Sequence, residues 1–340
     1  MTRYREFRAS VRGSLRRLLL AATLLLTSPY PAAATDMLYS DEALAVDQPR
    51  YAERFDFLLE RGLRDFMTSD ERRALADVVV DQPLRGRDLL TSEAQILGGF
   101  PVVTVPVSTL KLIEDISIVY AWRYRNGFTL EPIDEYLALL KLRHDAFASG
   151  RAEPLVALGV PPRILETDPN VDDLSLRFRN SAWAFMLAHE LGHLRFGDLD
   201  APATASEVQR QEEAADAFAA DLLARSNTIP MGMILWFQAT AGYFPNRADF
   251  ASDAAYSGWL ATRANHPVNG RRMRNLAAAL ERQAGQARDR NSRDVLRFIA
   301  TRLRAIGEIV EDPDMQRHLR RCAQTRDTAD LTRREDRPCS

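Results

Sequence analysis

His189 and His193 stand four residues apart, with Glu190 directly after the first, in the stretch His189-Glu190-Leu191-Gly192-His193. On a helix, residues four apart lie on one face, one turn from each other. Both imidazoles can then grip a single metal ion, while Glu190 reaches a water on that ion. Two rings do not complete such a site: a third protein ligand is needed, with the fourth position left to water. The candidate lies 19 residues past His193, in Glu212-Glu213-Ala214-Ala215-Asp216. Glu212 is the preferred ligand, because Asp216 sits one turn further along the same face. From there Asp216 is placed to accept the Nδ1–H of a ligand histidine and fix its orientation. Glu213 and Glu207 stay open as alternative ligands. The competing reading makes these acids the solvated face of an amphipathic helix.

These residue types predict one Zn2+ per chain, with Glu190 as the general base of a hydrolytic reaction. A rival from another class is a non-catalytic binding or chaperone module that keeps zinc for stability. Glu190 speaks against the rival, since a purely structural site needs no general base.

Two helices must hold this set. The first is expected from about Asp173 to Phe196, with Gly197 as its stop. A loop over 198–205 follows, and then a second helix to about Arg225, opened by a capping box of Ser206 and Gln209. Phe100 to Val107 is β-branched and reads as a strand, its two prolines marking an edge. Residues 35–95 read as helical and polar. Further helices are expected over Leu110–Trp122, Ile133–Phe147, Ile229–Tyr243, Phe250–Ala264, Arg271–Arg288 and Arg293–Glu311, with an irregular approach over 151–172. The tail from Asp312 reads as charged and loose. The expected fold class is mainly α (α+β), with a small β-sheet.

The first 34 residues read as a signal peptide. Six arginines precede the apolar run Leu18–Leu26, and Ala32-Ala33-Ala34 offers a cleavage site. The chain thus divides into 1–34 (signal), 35–94 (N-terminal helical region), 95–288 (metal domain) and 289–340 (C-terminal helix and polar tail). This predicts a periplasmic or secreted protein with no stable membrane span once the signal is removed. The remainder carries 39 basic and 46 acidic side chains. That mildly acidic balance argues against nucleic acid as a partner. Cys322 and Cys339, both in the tail, can pair in an oxidising compartment; neither has the spacing of a metal site. His144 and His318 match no pattern and read as ordinary surface residues.

Four marks in order resemble the HtpX-like and CAAX prenyl protease group of gluzincin zinc metallopeptidases. They are the HELGH helix, then Glu212, Ala215 and Asp216 as ExxAD, then Ala241-Gly242-Tyr243, and last His266-Pro267 with Arg272 as HPxxxxR. The resemblance covers roughly residues 95 to 285. It implies a zincin-like, mainly helical endopeptidase domain acting on a protein or peptide substrate. Its ligands would be His189, His193 and Glu212, and its base Glu190. It further implies that His266 and Arg272 line the site as catalytic residues, where a cation or N–H near the metal stabilises an oxyanion. For His266-Pro267 a simple helix-start turn is an equal alternative. The loop between HELGH and Glu212 is short, and the membrane helices of the integral branch are missing. A soluble periplasmic branch acting on secreted or envelope proteins fits better than a membrane chamber. The short spacing also resembles ImmA-like and phage-exclusion peptidases, against which the signal segment argues.

Overall fold

The computed structural model describes residues 38–142, 153–197, 199, 204–262 and 266–325. The signal segment, His144 and Cys339 lie outside them. Ser40 caps the first helix, α1 (Asp41–Phe57), its side chain accepting from the Ala43 N–H. A π-helical turn (Leu58–Leu63) and a 3-10 turn (Arg64–Phe66) lead to α2 (Ser69–Ala74). Three short strands follow: β1 (Val79–Asp81), β2 (Glu93–Leu97) and β3 (Phe100–Thr104). The helices α3 (Val107–Arg125), α4 (Glu131–Leu142), α5 (Pro154–Ala157) and α6 (Ile164–Thr167) precede α7 (Pro169–Phe196). Then come α8 (Ala205–Arg225), α9 (Gly232–Tyr243), α10 (Asp253–Thr262), α11 (Gly270–Gln286), α12 (Arg290–Glu311) and α13 (Pro313–Thr325). The protein is mainly helical with one small sheet, as the sequence predicts.

The sheet order is β1-β3-β2, with β1 parallel and β2 antiparallel to β3. The strand read as an edge is therefore central, and its proline explains how. Pro101 pairs only with Ile96 of β2, because β1 joins β3 from Val102 onward. The missing N–H falls outside the stretch paired on both sides. One strand, β1, lies inside the segment read as helical, and β2 overlaps its end. The residues of β2, Glu-Ala-Gln-Ile-Leu, are mostly helix formers. Pairing overrides that preference through Gly98 and Gly99, whose φ of 59° and 86° make a two-residue turn that other residues rarely adopt.

Helix α7 is the axis of the core, packing against α3, α8 and α9 and touching β2 and β3. It begins earlier than expected: Asp168 caps it, accepting from the Asn170 and Val171 N–H groups, and Pro169 takes the first helical position. Gly197 ends it in the left-handed conformation, as read from the sequence. Helix α3 is buried along nearly all its length, the mark of a helix at the centre of a core. Buried Glu114 on α3 accepts from Arg50 (2.8 Å) and Tyr51 (2.6 Å) of α1, and pairs with Arg179 of α7. Burial alone would raise the Glu114 pKa. The Arg50 and Tyr51 hydrogen bonds and the Arg179 charge bring it down to about 2. One apolar cluster runs from Leu38 to Val310, so segments on both sides of the metal region share a core.

The tail corrects another expectation. Asp312 is followed by α13, which packs on α4 where Ala138, Leu139 and Ala323 are buried. Leu319, Cys322 and Ala323 form a narrow apolar stripe that the surrounding arginines conceal in the sequence. Among the described residues no helix is long and apolar enough to cross a membrane.

Candidate metal centre

Glu212 reaches the HELGH histidines because α7 and α8 approach closely at one point. A Cβ added at Gly192 would lie 2.9 Å from Ala215 Cα and 3.2 Å from its Cβ. The glycine within HELGH and the alanine within ExxAD thus meet face to face. Gly192→Ala tests this contact. Alanine is the better helix former by up to about 1 kcal/mol, but overpacking costs about 1–3 kcal/mol. The clash wins: the variant melts lower in thermal denaturation.

The cap of α8 selects among the three candidate acids. It is Thr204, two residues before the expected Ser206, boxed with Glu207. Glu207 accepts from the Thr204 N–H at 2.7 Å and is thereby committed to the helix end. Glu213 points to another face and pairs with Arg271. Glu212 is buried and turned toward the histidines.

His189 Nε2 lies 3.1 Å from His193 Nε2 and 3.4 Å from Glu212 Oε2, and His193 Nε2 lies 3.5 Å from Glu212 Oε1. His266 completes the group. Its Nδ1 lies 3.1 Å from His189 Nε2 and 3.1 Å from Glu212 Oε1. A tetrahedral zinc site with bonds of about 2.0–2.1 Å has corners about 3.3–3.4 Å apart. The observed separations match those edges. Two ring nitrogens in contact can share only one proton, so His189 Nε2 cannot satisfy both neighbouring rings by hydrogen bonding. The donor set therefore fits a divalent cation of the zinc type, and all four side chains are buried.

Around this group the charges are arranged in layers. His189 Nδ1 lies 3.0 Å from Asp216 Oδ1, though the contact is poorly aligned for a hydrogen bond. Asp216 is in turn held by Arg272, through Nε at 2.7 Å and Nη2 at 2.8 Å. Arg272 also pairs with Glu212 Oε2 at 2.7 Å and donates to the Pro267 carbonyl at 2.9 Å. Its guanidinium thus faces both acids, Asp216 and Glu212. His266 has a left-handed φ of 51° and precedes Asn269, whose side chain caps α11 by accepting from the Arg272 N–H. The segment leads into the helix-start turn and also brings His266 beside His189, His193 and Glu212.

Glu190 is fully buried. Burial would raise its pKa, but the charge and hydrogen bond of His266, with the charges of His189 and His193, hold it near 2. Glu212 lies well below the ordinary range: burial opposes ionisation, and the His266 and Arg272 charges overcome it. Asp216 is lowered through Arg272 against the same burial cost. Burial would lower the His266 pKa, yet Glu190 and Glu212 raise it well above the usual value. His189 is raised against burial by Asp216 and Glu212. These acids are built to face positive charge.

Sequence reasoning missed Ser92, immediately before β2. Its Oγ donates to Glu190 Oε1 at 2.7 Å, and its carbonyl accepts from His266 Nε2 at 2.9 Å. No spacing rule links residues 98 positions apart. Nor did the sequence show that His266 Nδ1 joins His189, His193 and Glu212 as a fourth candidate donor. Ala241-Gly242-Tyr243 has a packing role: a Cβ at Gly242 would lie 2.7 Å from Leu137 Cβ. His318, read as a surface residue, is half-buried with Nε2 3.4 Å from Cys322 Sγ, and Glu135 lies close by. Cys322 is disulfide-bonded, which leaves no thiolate there to bind a metal.

Residues 178–287 match the sequence model of Peptidase U49. The matched segment spans most of α7 through α11 and contains every donor of the metal group. It supports a peptidase family, without singling out the HtpX-like and CAAX prenyl protease group. No curated protein and no solved structure matches the chain.

Proposed function

We propose that the chain is a zinc-dependent endopeptidase acting on secreted or envelope proteins, in the periplasm or outside the cell. The observation that carries this reading is the convergence of His189, His193, Glu212 and His266 on one point, beside a buried Glu190. When bound, zinc supplies a Lewis acid that polarises the scissile carbonyl and brings the pKa of water toward about 7. Glu190 Oε2 has no hydrogen-bond partner among the described residues and is free to take a proton. That proton passes to the departing amine nitrogen as the C–O bond forms and the C–N bond breaks, giving a carboxylate and an amine. Asp216 orients His189, and Arg272 locks Asp216 and Glu212 in place. His266 Nε2, 3.0 Å from Glu190 Oε1, holds the base from its other side.

The fourth corner favours a second reading. Four protein donors are the mark of structural zinc sites, and His266 Nδ1 makes a fourth. In that reading the chain is a zinc-stabilised binding or chaperone module. Metal analysis paired with cleavage of unfolded casein separates the two: stoichiometric zinc with no turnover favours the module. Both readings share one expected result. Removing zinc with a chelator lowers stability by about 4 kcal/mol relative to free zinc at 1,000 times Kd, measured as a fall in Tm. A Tm indifferent to zinc refutes the metal site.

A further inference from the structure

We propose that Ser92 is a positioning residue that selects which carboxylate oxygen of Glu190 does the work. The inference rests on the peptidase reading and adds a residue from outside the HELGH, ExxAD and HPxxxxR elements. Ser92 is fully buried, immediately precedes the edge strand β2 and reaches Glu190 on α7. Its Oγ–H donates to Glu190 Oε1 at 2.7 Å, and His266 Nε2 lies 3.0 Å from the same oxygen. Both contacts fall on Oε1, while Oε2 is buried with no hydrogen-bond partner among the described residues.

A carboxylate on a rotatable side chain has two equivalent oxygens, and in an open pocket either would meet the water. Ser92 removes that equivalence. A charge-assisted hydrogen bond of this length holds the carboxylate rotor in one orientation. The same residue accepts from His266 Nε2 through its carbonyl, so one backbone position fixes the base and the third ring together. The strand supplies rigidity: β2 is tied to β3 along five residue pairs, which sets the approach of Ser92 to the helix.

The test uses the full zinc-loaded protein, with Ser92→Ala and Ser92→Cys beside Glu190→Gln. Alanine removes the donor; cysteine keeps the volume with a weaker donor. The proposal expects one zinc per chain in each Ser92 variant and KM within about twofold of the parent. It expects kcat to fall about 10- to 100-fold in Ser92→Ala, in keeping with part of a general-base contribution, and less in Ser92→Cys. A peptidyl hydroxamate, which shares its hydroxyl proton with the base, binds Ser92→Ala about tenfold more weakly by calorimetry. Loss of zinc from Ser92→Ala overturns the proposal, as does an unchanged kcat beside an inactive Glu190→Gln. Should Glu190→Gln cleave as an active parent does, the general-base role of Glu190 falls; should neither cleave, the peptidase reading falls first. Hydroxamate affinity then judges Ser92 alone: tenfold weaker upholds its contact with the base, and equal affinity refutes it.

Discussion

On the proposed zinc-peptidase reading, Glu190→Gln leaves zinc stoichiometric and reduces peptide cleavage by about 10³-fold or more, in line with the upper range for a positioned general base. Glutamine keeps the shape of the side chain and an oxygen able to accept from Ser92 Oγ, so the pocket retains its packing. It loses the negative charge and the lone pair that takes the proton. His189, His193 and Glu212 are untouched, which is why metal content separates this variant from a damaged site. Cleavage of unfolded casein at the parent rate would refute the role of Glu190, and zinc loss would show the substitution acting on the cage instead.

Arg272→Met produces the largest expected loss of stability. The guanidinium has a side-chain exposure of 1% and serves both Asp216 and Glu212. Methionine fills much of the volume but leaves two buried carboxylates without the guanidinium they share. Breaking a buried pair on one side costs about 3–5 kcal/mol. For a chain of this size that is a fall in Tm of roughly 10 °C. Zinc binding weakens as well, since Asp216 no longer has its two-point hold and His189 loses its orientation. Arg272→Lys falls between, because an ammonium cannot reproduce the bidentate fork. A denaturation curve within about 1 kcal/mol of the parent would show that the acids find another partner.

The contrast between legible and hidden parts follows the range of the interactions. The HELGH helix and its Gly197 stop were readable because a four-residue spacing and a terminal glycine are local signals. The pairing of Glu212 with His189 was readable because two helices joined by a short loop have few ways to meet. Whether Glu207, Glu212 or Glu213 would face inward was open until the cap fell at Thr204 and took Glu207. The edge strand was hidden because its composition favours a helix and only its partner β3 overrides that. The burial of α13 was hidden because three small or apolar residues among many arginines make a faint stripe. Arg272 was found by resemblance, but its direction toward Asp216 depends on how α11 packs against α8, which no spacing reveals.

The site also sits at a particular end of α7. His193 belongs to the last turn of that 28-residue helix, and its carbonyl accepts from the Gly197 N–H. Aligned peptide dipoles give the closing turn about half an elementary negative charge, worth about 0.3–1 kcal/mol to a nearby cation. The backbone itself therefore attracts a divalent ion before any side chain is counted. By the same sign, a phosphate or other anion gains nothing from this helix and is repelled by its end.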